Sequence, residues 1–117
     1  MTGKGRKAKG HGYERHLAKV IGDSLGIPLR RTPLSGALDI KGDLREEGSN
    51  TLSGPLSGWT IEAKKQERLS IWSYIKQARR ESGGKKWMVI FSRNREKDYV
   101  CLELESFLPL LKGTCHE

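Results

Sequence analysis

Two side chains near the middle of the chain, Glu62 and Lys64, have types and spacing suited to hydrolytic chemistry. They lie in Trp59-Thr-Ile-Glu-Ala-Lys64, where Trp59, Ile61 and Ala63 alternate with Thr60, Glu62 and Lys64, the period of a half-buried strand. Alternation places Glu62 and Lys64 on one face and Ile61 and Ala63 on the other. A carboxylate and an amine about 7 Å apart along a strand can share a reaction centre. The carboxylate holds a divalent ion, and the amine orients or deprotonates a water. A bare Glu-x-Lys is common on exposed strands, so its neighbours must carry the argument. The preceding segment supplies Asp39 and Asp43, on the face opposite Leu38, Ile40 and Leu44. Either acid meets Glu62 if the two strands pair. Two carboxylates with a backbone carbonyl such as that of Ala63 form the oxygen-rich, partly hydrated site that Mg²⁺ favours, with Mn²⁺ as a substitute. His11, His16 and His116 lack zinc-ligand spacing. A third carboxylate, Glu14, lies beside the apolar positions Leu17 and Ala18 of a helix, which could aim it at the sheet. The competing readings are charge balance with Lys41, Arg45, Lys64 and Lys65 for the strand acids, and a helix-dipole contact for Glu14.

Those side chains need a scaffold, and the apolar periodicity outlines one. From Tyr13, apolar residues at Leu17, Val20, Ile21 and Leu25 mark an amphipathic helix that Gly26 ends. Ile27 to Thr32 is strand-like, with Pro28 placing it at a strand start or sheet edge. Pro33 to Gly36 is a turn, and the Asp39/Asp43 strand follows. Residues 46–58 (EEGSNTLSGPLSG) read as an irregular loop or loose hairpin tip. After the Trp59 strand, Leu69, Trp72, Ile75 and Ala78 recur at helical spacing before Gly83 and Gly84. Trp87 to Ser92 is a continuous apolar strand expected at the sheet centre. Tyr99 to Leu104 is its partner, and Phe107 to Leu111 a short closing helix. The order α-β-β-β-α-β-β-α predicts an α/β domain, a mixed central sheet of about five strands flanked by helices. Residues 1–10 (MTGKGRKAKG) read as a flexible basic arm and residues 11–117 as one domain.

Charge narrows the partner. The chain has 22 Lys and Arg against 14 Asp and Glu, a net charge of +8. Residues 1–31 hold eight basic and two acidic side chains and residues 62–97 eleven and four, whereas the last seventeen hold one and three. Such segregation favours a polyanion on one surface, nucleic acid before an anionic membrane. No apolar run approaches the roughly 20 residues of a membrane helix, and no apolar stretch follows the basic N-terminal residues as in a secretory signal. Cys101 and Cys115 lack CxxC spacing, which fits a reduced, cytoplasmic setting.

Five segments in order, Lys9-Gly-His-Gly-Tyr-Glu14-Arg15, Arg30-Arg31-Thr-Pro-Leu-Ser35-Gly36, Lys41-Gly42-Asp43-Leu44, Ile61-Glu62-Ala63-Lys64 and Tyr74-Ile-Lys-Gln77-Ala78, resemble the archaeal-type Holliday junction resolvases and their phage relatives, within the PD-(D/E)xK nuclease superfamily. The resemblance runs from Lys9 to Leu104 and rests on the order of the five. It implies a restriction-endonuclease-like fold and a metal site formed by Glu14, Asp43, Glu62 and Lys64. Ser35-Gly-Ala-Leu-Asp39-Ile also fits the spacing of some archaeal members, so Asp39 is the alternative to Asp43. The segment 46–58 is an insertion relative to the compact family hairpin. The resemblance further implies DNA contacts from Arg30, Arg31 and Ser35, with Gln77 near the site; Arg15, Lys7, Lys9 and Lys65 extend the cationic surface. The implied activity is magnesium-dependent cleavage of branched double-stranded DNA by a homodimer, in the cytoplasm or, for a phage-encoded chain, that of the host. Phe107, Leu108, Leu110 and Leu111 could form the dimer surface or simply close the core. Two other classes stay open: a nuclease of this fold acting on other DNA, in repair or restriction, and a non-catalytic nucleic-acid-binding module.

Overall fold

The computed structural model describes residues 3–33 and 42–114. Its elements follow the expected order: α1 (Gly3–Leu25), β1 (Leu29–Arg31), β2 (Leu44–Glu46), β3 (Trp59–Lys65), α2 (Ile71–Ser82), β4 (Lys86–Ser92), β5 (Tyr99–Leu102) and α3 (Leu104–Thr114). Helix α1 starts ten residues before the Tyr13 periodicity and takes in residues 3–10, the segment read as a basic arm. Most of the expected turn at 33–36 and the first half of the expected Asp39/Asp43 strand fall on residues 34–41, outside the described residues, as do Ser35 and Asp39. In the second half Gly42 and Asp43 form a bend, and the strand begins only at Leu44.

The strands form a mixed arrangement in two parts. Strands β3 and β4 are parallel, β4 and β5 antiparallel, and β4 is central, as its apolar run requires. Strands β1 and β2 form a separate antiparallel pair. Asp43 joins the parts: its N–H donates to the Ile61 carbonyl at 2.7 Å, and its carbonyl accepts the Thr32 N–H at 2.8 Å. Asp43 thus hydrogen-bonds to both parts of the strand arrangement.

Helices cover both faces of β3 and β4. Tyr13, Leu17 and Ala18 of α1 pack with Ile61 and Ile90 on one face, and Tyr74 and Ala78 of α2 pack with Trp87 and Val89 on the other. Val89 and Ile61 are completely buried. Helix α2 stops at Gly83, whose φ of 60° and ψ of 35° suit a residue without Cβ. The 46–58 segment is more than the loose loop expected. It contains a 3₁₀ turn at Gly54–Leu56, and Leu52 and Leu56 are buried in the α1-side core. Two leucines give an otherwise polar insertion a reason to fold down.

Strand β5 and helix α3 are different in character. Tyr99, Val100, Phe107, Leu108 and Leu110 are all 41–53% exposed and stand outside both core clusters. The C-terminal apolar residues therefore do not close the core among the described residues. Helix α3 is also longer than the expected Phe107–Leu111, starting where the Glu103 carbonyl accepts the N–H groups of Ser106 and Phe107. Among the described residues, no helix is long and apolar enough to cross a membrane.

Candidate active site

Strand β3 delivers its two chemical side chains to the α2 face. Glu62 is 2% exposed, and its Oε1 accepts a hydrogen bond of 3.3 Å from Gln77 Nε2 on α2. Lys64, two residues on, holds its ammonium 5.5 Å from the centre of the Tyr74 ring, also on α2. The aromatic face restrains the cation without neutralising it.

Asp43 reaches the same place from the strand junction. Its Oδ2 accepts the Ala63 N–H at 2.8 Å, so the acid is fixed to the peptide between Glu62 and Lys64. The preceding Gly42 makes this approach feasible: its φ is +82°, and a Cβ there would lie 3.0 Å from the Ile61 carbonyl oxygen and 3.1 Å from its nitrogen. Both the dihedral and the close approach call for glycine. Of the two candidate aspartates, Asp43 is thereby placed beside Glu62, and Asp39 lies outside the described residues.

The electrostatics are those of crowded acids. Burial, followed by the charge of Asp43, pushes the Glu62 carboxyl up to about 8, against the opposing pull of Lys64. Burial also raises Asp43, while the Ala63 N–H and Lys64 pull it back. The charge of Asp43 opposes ionisation of Glu62, and Lys64 is the neighbouring cation that favours it. The hydrogen bond from the Ala63 N–H favours the charged form of Asp43. Glu14 on α1, half-buried, is pushed up to about 7 by burial and by Asp43, with Arg31, Lys64 and Arg15 opposing.

The four residues Glu14, Asp43, Glu62 and Lys64 thus act on one another electrostatically. Sequence reasoning missed Glu81, which raises both Asp43 and Glu62 through its charge. Its position one turn after Gln77 on α2 was the available signal.

The donor set fits a hard cation. Asp43 and Glu62 offer carboxylate oxygens, and the Ala63 carbonyl belongs to the same stretch of β3. Among the described residues, no three His, Cys, Asp or Glu side chains converge as a ready metal cage. An ion held here would have few protein ligands and keep several waters, as Mg²⁺ does.

A basic cleft of about 460 Å³ runs between α1 and the β1–β2 pair, lined by Arg15, Lys19, Arg30, Arg31 and Arg45. Arg31 also reaches His11 Nδ1 at 3.5 Å. Arg30 and Arg45 are directly opposite across the β1–β2 ladder, an unfavourable like-charge pairing, and Arg45 Nη1 turns to donate to the Glu46 and Ser49 carbonyls at 3.3 and 3.1 Å. The partial compensation comes from Glu47, 3.7 Å from Arg30, and Asp23, 3.2 Å from Lys19, both exposed. Lys19 and Arg45 were not among the phosphate contacts expected from the sequence. Lys65 instead stacks over Tyr13, 5.6 Å from the ring centre. Tyr13 in turn donates to Asp98 Oδ1 at 2.8 Å, and His16 Nε2 lies 3.1 Å from Asp98 Oδ2. These contacts tie α1, and so Glu14, to the β4–β5 turn. Lys7 and Lys9 lie on the first turns of α1.

No curated protein and no solved structure matches the chain. Residues 5–114 match the family described as "Phage putative PDDEXK endonuclease", a span that includes all of the candidate site. The mixed α/β fold agrees with the restriction-endonuclease-like architecture of that superfamily, and the chain belongs to this family of phage PD-(D/E)xK endonucleases.

Proposed function

We propose that this nuclease is a structure-selective DNA endonuclease that resolves four-way junctions, acting as a homodimer with Mg²⁺, or Mn²⁺ in its place. The observation that carries the reading is the meeting of buried Asp43 and Glu62 with Lys64, linked to the cleft of five cations by Glu14, which feels the charges of Asp43 and Lys64 and those of Arg31 and Arg15. Acids in the middle of a phosphate-binding surface repel the substrate unless a cation intervenes. PD-(D/E)xK nucleases generally use divalent metals.

Asp43, Glu62 and the Ala63 carbonyl would hold the ion, which supplies Lewis-acid polarisation of a phosphoryl oxygen and a more acidic bound water. The chain's own residues do the rest. Arg30 and Arg31 grip the backbone phosphates beside the cut, since guanidinium matches phosphate bidentately. Arg15, Lys7, Lys9 and Lys65 broaden that field, and Ser35 donates to a further phosphate oxygen. Lys64 orients the attacking water and steadies the charge developing on the phosphoryl group. Glu14 stands at the α1 edge of the site, where its carboxylate would touch a second ion, through water. Gln77 keeps the Glu62 carboxyl in position. By the family resemblance, the products carry a 5′-phosphate and a 3′-hydroxyl.

Paired cuts across a junction need two sites in fixed relation, and one small domain carries one. A two-fold dimer supplies the second. The half-exposed Phe107, Leu108 and Leu110 of α3 are its candidate surface.

The test is cleavage of a synthetic four-way junction beside a matched linear duplex, with and without Mg²⁺. The proposal expects Mg²⁺-dependent paired nicks in the junction and little cut duplex. Equal cleavage of both would leave a PD-(D/E)xK nuclease of other DNA, and binding without cleavage would leave a non-catalytic module. On a supercoiled cruciform plasmid, linear product should precede nicked circles, and light scattering should show a dimer at micromolar concentration.

A further inference from the structure

A second cationic cleft lies in the opposite layer of the molecule. It measures about 510 Å³ and is lined by Lys76, Arg79, Arg80 and Lys85, with Trp87 and Glu103. Lys76, Arg79 and Arg80 project from α2, which covers the face of the sheet away from α1. Trp87, 4% exposed, stands beneath as part of that helix's core contact.

Two features separate this cleft from an ordinary solvated helix face. In the first cleft, Lys19 and Arg30 each have a carboxylate partner. In the second, none of the four cations forms an ion pair among the described residues, and the one acid in the lining is Glu103. Arg79 and Arg80 do complement the α2 dipole at its last turn. That accounts for two exposed cations, but not for Lys76 a turn earlier and Lys85 beyond the helix end, all on one concavity. Four uncompensated cations repel one another, and a polyanion relieves the repulsion.

The sheet and its covering helices separate the clefts, and the acids of the candidate site lie between α1 and α2. We infer that the second cleft binds the phosphodiester backbone of a second DNA segment, one that diverges from the segment held by Arg30 and Arg31. The inference rests on the junction-nuclease reading and deepens it, because a substrate with diverging arms fills both clefts and a straight duplex fills one.

The test uses a variant with K76Q, R79Q and R80Q. Glutamine keeps helix propensity, and none of the three residues touches the candidate active site. Circular dichroism and thermal melting establish that the variant folds. Binding of a four-way junction and of a linear duplex is then measured for wild type and variant without divalent metal, across a salt series. The inference expects junction affinity to fall at least about tenfold, with a salt slope shallower by about 2 to 3, near 0.9 per lost phosphate contact. Duplex affinity should change less than about twofold, since phosphates outside the cleft are untouched. Equal losses on both DNAs would show one continuous duplex track and overturn the inference, as would no loss on either. A wild type that binds junction no better than duplex would refute the junction reading itself, a result visible before any variant is compared. Should the triple variant unfold, K76Q alone, away from the helix terminus, must still lower junction affinity selectively.

Discussion

Ile61 and Glu62 are neighbours in β3 and nearly equally buried, at 0% and 2% exposure, yet they represent opposite uses of burial. Ile61 faces α1 among Leu17, Leu44 and Ile90. Removing such a side chain from water stabilises the fold. Glu62 faces α2 against Gln77, and burial of its ionised form is unfavourable unless a cation compensates. One face of the strand holds the domain together, and the other stores an electrostatic demand that a metal ion and a phosphate can meet.

The largest expected effect comes from the acid that joins the strands. Asp43→Asn should cost at least as much Mg²⁺-dependent cleavage as Glu62→Gln, a loss of about a hundredfold at the least, the scale on which loss of one preorganised electrostatic group is felt. Asp39→Asn in the same assay should be milder. The reverse ranking would show that the other aspartate belongs to the site.

On the apolar face the effect should appear in stability instead. Ile61→Ala should cost about 2–5 kcal/mol in denaturant unfolding, through lost transfer energy and a cavity. A loss below about 1 kcal/mol would mean that the α1 side is not the principal core.

Acidity separates the two faces further. The Glu62 carboxyl has a folded-state value of about 8 against an ordinary 4.5. The folded protein therefore holds this proton more tightly than the unfolded chain does. The associated stability is complete below about pH 4.5 and is lost as pH rises through about 8, with Glu14 acting alike up to about 7. In metal-free buffer, Tm should fall between pH 5.5 and 8.5. Mg²⁺ should raise Tm more at pH 8.5 than at 5.5, because an ion that binds the ionised pair stabilises the folded state. A metal-induced shift independent of pH would disconnect the ion from these acids.

The smallest effect should come from Gln77→Leu, which leaves Glu62 without its amide donor. Cleavage should fall about tenfold, the order seen when a group supporting a metal ligand is lost, and kcat should change more than KM.

The residues that follow strict periodicities were the most legible. Strand β3 and the central β4 announce themselves through alternation and an unbroken apolar run, and Glu62 and Lys64 share the face that alternation assigns. The connection between strands was less legible. Asp43 precedes β2, and the backbone hydrogen bonds to Thr32 and Ile61 that carry its carboxylate to the Ala63 N–H are encoded by no side-chain pattern. Gly42 belongs to the Lys41–Leu44 motif, but its close approach to Ile61 is a tertiary fact. Leu52 and Leu56 were hidden by the polar composition around them, and Arg45 by its alternation with buried Leu44. Glu81 was readable, one turn from Gln77, once α2 was known to cover the site.

The most direct measurement is single-turnover cleavage of a four-way junction by wild type and Glu62→Gln across a Mg²⁺ titration, with binding measured in parallel. The substitution preserves shape and removes one carboxylate charge. Wild-type cleavage should rise with Mg²⁺, while Glu62→Gln should bind the junction normally, melt no lower than wild type in metal-free buffer at pH 8.5, and not cleave it. Undiminished cleavage by the variant, or wild-type cleavage indifferent to Mg²⁺, would contradict the assignment of these buried acids to a metal-dependent phosphodiester site.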